Sequence, residues 1–78
     1  MSGPSRVEFT DHGEQKARRL GKALADVAEV VLVGHDQRRR NPGEADWLAV
    51  GRRMSVAYNW PDQGDPTCAR VVTILAER

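Results

Sequence analysis

The chain has a single cysteine, Cys68, among its 78 residues, which excludes an internal disulfide and fits a reducing compartment. Cys68, His12 and His35 lack the spacing of metal ligands. No serine sits in a nucleophile motif and no glycine-rich loop precedes a helix, so neither a metal nor an organic cofactor is expected. No apolar run approaches the roughly 20 residues that span a bilayer. The opening Met-Ser-Gly-Pro-Ser has no apolar stretch of the kind a secretion signal needs, so the expected setting is cytoplasmic, away from membranes. The length leaves room for one domain with one modest core, expected over residues 5–78 behind a disordered 1–4.

Excess charge is also missing: the net value is +1. Its distribution is uneven. Between Lys16 and Arg53 lie nine Lys or Arg against five Asp or Glu, and ten of the twelve basic residues in the chain are arginine. Arginine makes the planar, two-pronged phosphate contacts that lysine does not, although such a surface is equally what an arginine-rich genome would encode.

Patterning predicts the elements. Ser5 to Thr10 alternates as a short strand, with Val7 and Phe9 on one side. Asp11 and Glu14 have capping-box spacing, so a helix begins there with Gly13, Ala17, Leu20 and Leu24 on its apolar side and a break at Gly21. A second helix is expected over Leu24 to Val33, burying Leu24, Val27, Ala28 and Val31 and stopping at Gly34. His35 to Glu44 reads as a polar loop with a turn at Asn41-Pro42-Gly43. Strands follow at Ala45 to Val50, Arg52 to Trp60 and Ala69 to Ala76. Met54, Val56, Tyr58 and Trp60 share one face of the middle strand, and Val72, Ile74 and Ala76 oppose Val71, Thr73 and Leu75 in the last. The expected fold is α+β: a short N-terminal strand, then two helices packed on one face of an antiparallel β-meander.

A strand ending in Thr10, then His12, a basic helix from Lys16 to Gly21, Asp26-Val27 with Glu29-Val30, and a closing Val71-Val72-Thr73 resemble a family of small bacterial and phage proteins. These in turn look like relatives of the BrnT and RelE/ParE toxins, which share the compact fold of several microbial ribonucleases. The resemblance spans roughly residues 7 to 75. It implies a metal-independent ribonuclease or an inhibitor of an essential partner, neutralised by an antitoxin, and it is the reason to single out Thr73. The chain departs from the family pattern at Gly13, Leu20 and Lys22.

His12, Lys16 and Arg19 stand at i, i+4 and i+7, one helical face. Metal-free RNA cleavage needs a proton taken from a 2′-hydroxyl, a proton given to the leaving 5′-oxygen, and cations around the charged phosphorane. His12 is the candidate proton-transfer group, suited to the first step, and Lys16, Arg19 and Arg53 are candidate phosphate-holding cations. Arg53 is expected to share a polar side with Ser55 and Asn59. Arg38, Arg39, Arg40 and Arg52 are candidate RNA contacts through phosphate, and Arg38 to Arg40 could instead pair with acidic residues of an antitoxin. Each also has a bland reading as solvated charge, and Tyr58 and Trp60 read as core. The rival functions are a non-enzymatic protein that binds a host protein and a structural, dimerising domain.

Overall fold

A computed structural model describes residues 3–41 and 43–76. Its elements are β1 (Arg6–Phe9), α1 (Asp11–Arg19), α2 (Leu24–Gly34), a 3-10 turn (His35–Gln37), β2 (Arg39–Arg40), β3 (Trp47–Val50), β4 (Met54–Asn59) and β5 (Cys68–Ala76). The fold is α+β, as its sequence predicts. The five strands lie in the order β1-β5-β4-β3-β2. Ala17, Val27 and Val31 of the helices pack with Ala49, Val56, Tyr58, Val71 and Ile74 on one face of the sheet.

Four strands pair antiparallel, but β1 runs parallel to β5. The sheet is therefore mixed and not a pure meander. A parallel neighbour needs a long crossover connection, and here both helices and strands β2 to β4 lie between β1 and β5.

Local chemistry sets the ends of α1. Thr10, in extended conformation, accepts a hydrogen bond from the Gly13 amide at 2.9 Å, so it is the N-cap and Asp11 is the first helical residue. Asp11 and Glu14 occupy the first turn and Lys16, Arg18 and Arg19 the last, each sign matched to the helix dipole. Gly21 adopts φ +71°, while its amide bonds to the Arg18 carbonyl and that of Lys22 to Ala17. That is a Schellman ending, which needs a residue tolerant of positive φ. Gly34 does not stop α2 in that way: its φ is −88° and the chain winds on into the 3-10 turn.

The strand pattern is broken once, with consequences for the site. Ala57 pairs with Thr73 but Tyr58 pairs with Val71, leaving Val72 as a bulge. The bulge shifts the alternation, so Val71 and Ile74, expected on opposite faces, are both fully buried in the core. The turn from β1 into α1 sits on this bulge. The Thr10 amide donates to the Val71 carbonyl at 2.9 Å. A Cβ on Gly13 would lie 2.6 Å from that same carbonyl oxygen.

Gly13→Ala is therefore expected to destabilise the protein, although alanine is the better helix former by about 1 kcal/mol. The helix must lift from a backbone carbonyl that cannot move aside. A net loss of about 1–2 kcal/mol would lower the melting temperature by roughly 5–15 °C, measured by circular dichroism beside the exposed control Gln15→Ala.

The expected disorder of residues 1–4 is not seen at Gly3 and Pro4, which are half-buried; Gly3 lies against the His35 ring. Met1 and Ser2, like Pro42 of the expected turn, lie outside the described residues. Among the described residues no helix is long and apolar enough to cross a membrane.

Candidate functional site

Pairing places Arg39, Leu48, Ala57 and Thr73 in one row across β2, β3, β4 and β5. Directly opposite residues share a face. This row crosses the sheet face that the helices leave uncovered. At its β5 end is a depression of about 640 Å³ floored by Ala57, Val72, Thr73 and Leu75. His12 stands on one wall, Asn41 and Glu44 on another.

Each wall is held by backbone. His12 is the second residue of α1, and the N-cap of Thr10 together with the seat on the bulge fixes that turn. Asn41 and Glu44 belong to the loop between β2 and β3. The Asn41 side chain donates to the Ala45 carbonyl at 3.0 Å, its amide donates to Asp46, and the Asp46 amide donates to Asn59 Oδ1 on β4 at 2.9 Å. The Glu44 carboxylate is exposed and makes no ion pair among the described residues.

Of the residues expected from sequence, the structure brings His12 and Thr73 into this depression. Lys16 and Arg19 extend from His12 along α1, within an arc of about 60° by helical geometry. Arg39 is exposed at the far end of the open-face row, three strands from Thr73. Arg53 is not on a strand beside Ser55 and Asn59: it lies in the β3–β4 turn at φ +66°, and β4 begins only at Met54. Arg52 faces a different depression, beside α2.

Arg38 is corrected most. It is no loop cation, because its guanidinium lies 4.3 Å from the Trp47 ring centre and 5.0 Å from that of Trp60, and it donates to the His35 carbonyl at 3.0 Å. That sandwich anchors the segment that becomes β2. Arg40 also lies over Trp47, at 5.2 Å, but stays exposed. His35, expected in a polar loop, is buried, with Nδ1 2.8 Å from the Tyr58 hydroxyl.

Asn41 and Glu44 are the site residues that sequence reading missed. The turn at Asn41-Pro42-Gly43 is visible in sequence, but nothing local says that it folds over the sheet toward His12.

The depression thus brings together an imidazole on one wall, a carboxylate and an amide on another and a hydroxyl on the floor, with cations along α1. Among the described residues no three His, Cys, Asp or Glu side chains gather as metal ligands. No family model, curated protein or solved structure matches the chain.

Proposed function

We propose that this protein is a toxin-like, metal-independent endoribonuclease that works on the open face of its sheet. The observation carrying this reading is that His12 and Glu44 line one depression from different elements. Glu44 takes the proton of the 2′-hydroxyl and His12 gives one to the leaving 5′-oxygen, which exchanges the order of roles expected for His12 from sequence alone. The 2′-oxygen forms a bond to phosphorus as the bond to the 5′-oxygen breaks. The products are a 2′,3′-cyclic phosphate and a 5′-hydroxyl. Lys16 and Arg19 hold flanking phosphates, Thr73 and Asn41 offer hydrogen bonds within the depression, and Arg39 extends the track across the sheet. Such an activity belongs in the cytoplasm, restrained by an antitoxin that covers the same face.

The test is incubation of purified protein with single-stranded RNA in excess chelator. Expected are fragments ending in cyclic phosphate and beginning with 5′-hydroxyl. Intact RNA would refute the enzyme and favour the reading in which this face, with Leu75 52% exposed on its floor, docks a host protein.

RNA affinity is expected to fall with salt. Three or four phosphate contacts predict a slope of about −2 to −3 in log K against log salt for a single strand. A flat response, measured by fluorescence anisotropy, would remove the cationic track as the contact surface.

A further inference from the structure

His35 is buried where α2 ends, and it lines no part of the depression that holds His12. Its Nδ1 lies 2.8 Å from the Tyr58 hydroxyl, and its Nε2 is buried without a partner among the described residues. The titratable and charged groups around it are Tyr58 from β4, Arg38 from the segment entering β2, and Asp36 within the 3-10 turn. Trp60 meets the ring edge-on, and Gly3, which also lies against it, has no charged side chain.

Arg38 is the movable member of this cluster. Tyr58 is fully buried, whereas Arg38 is half-buried and borders solvent. The Arg38 guanidinium is held by the Trp47 and Trp60 rings and by the His35 carbonyl, but its Nε is buried without a partner among the described residues. Moving outward would hydrate that N–H. β2 leans on this hold, because it is two residues long and pairs only Arg39 with Leu48 and Arg40 with Trp47. One further rung, from the Asn41 amide to the Asp46 carbonyl, leads into the loop.

We infer that His35 is a proton-operated latch on the loop between β2 and β3. With the ring neutral, Arg38 stays between its two tryptophans and the loop holds Asn41 and Glu44 at the wall of the depression. A charged ring sets a second cation beside Arg38 in poorly solvated surroundings, where like charges repel strongly. The Tyr58 oxygen can accept from the charged ring and stays in place, so Arg38 is the group that leaves for solvent, and the loop loosens with it. Burial and Arg38 both lower the His35 pKa, against Asp36. The latch therefore holds above the ordinary imidazole value of about 6.5 and opens as pH falls below it toward the lowered one. That an open latch disarms the depression rests on the ribonuclease reading; the release itself does not.

Nuclear magnetic resonance tests the latch without RNA. The ring shifts of His35 give the pH at which it charges, and amide relaxation gives the order parameters of Arg40, Asn41 and Glu44. These are expected to fall from about 0.85 to below about 0.6 as His35 charges, while those of Val56 and Ile74 hold. Arg38→Gln is expected to free the loop while His35 is still neutral, and His35→Phe to keep it ordered through the same range of pH. On the ribonuclease reading Arg38→Gln also slows cleavage, by about 10- to 100-fold, through a misplaced Glu44. A loop freed on His35 charging while RNA stays intact supports the latch and refutes the ribonuclease alone. A loop equally ordered on both sides of the His35 titration, a loop freed by acid in His35→Phe as well, or an Arg38→Gln loop as ordered as the wild type overturns the latch.

Discussion

Replacing His12 by alanine is expected to slow RNA cleavage about 100- to 10,000-fold, the range that one general acid or base contributes, with the thermal transition unchanged. His12 is exposed and makes no hydrogen bond among the described residues, so its removal costs the fold little. Glu44→Gln is expected to act as strongly, because the amide is isosteric but cannot take the 2′-hydroxyl proton. Lys16→Ala and Arg19→Ala remove charge stabilisation and are expected to cost roughly 10- to 1000-fold each. Arg53→Ala, in a turn away from the depression, is expected to leave the rate alone. Induced expression in a growing bacterium supplies the second readout, with total RNA followed beside growth. Toxicity that survives in His12→Ala with RNA intact would replace the ribonuclease by a protein that arrests a host partner.

The features legible in sequence were those set by local chemistry. The helix over Asp11–Arg19, the break at Gly21, the buried Val27 and Val31, and the alternation from Met54 to Tyr58 all follow from residue spacing. What stayed hidden depends on partners distant in the chain. The parallel pairing of β1 with β5 is a choice of neighbour that no period of two reveals. The bulge at Val72 leaves no mark in a run of Val-Val-Thr, yet it moves Val71 and Ile74 onto one face and seats α1.

The arginine run shows the same limit at the site. In sequence Arg38, Arg39 and Arg40 look equivalent. In the fold Arg38 is enclosed by two tryptophans, Arg40 lies over one of them, and Arg39 is on the open-face row. Charge counts cannot separate them, because the difference lies in which rings β3 and the segment after β4 bring alongside. Gly13 has its reason in the Val71 carbonyl beneath it.

The protein is also expected to lose stability as pH falls below about 6.5, because of His35. It is 3% exposed, its ring stands edge-on to Trp60 at 4.4 Å, and Nε2 has no partner among the described residues. Burial lowers its pKa, the Arg38 guanidinium lowers it further, and Asp36 opposes them. Burial pushes the Tyr58 pKa up to about 12, so the hydroxyl keeps its proton. Protonating His35 makes both ring nitrogens donors, leaves Nδ1 able only to donate to the Tyr58 oxygen, and adds a buried charge beside Arg38. With the folded pKa below the unfolded one, the unfolded chain binds more protons between the two values. The contribution of neutral His35 is thus complete above the unfolded value and is lost as pH drops toward the folded one. Urea midpoints at about pH 7.5, 6.5 and 5.5 test this above the ordinary carboxylate range, where Asp62 and Asp65, both lowered by hydrogen bonds, stay ionised. His35→Phe is expected to flatten the dependence. Tyr58→Phe deprives Nδ1 of its partner at a cost of about 1–3 kcal/mol, or roughly 5–20 °C in melting temperature. An equally steep acid loss in His35→Phe would show that some other group carries the titration.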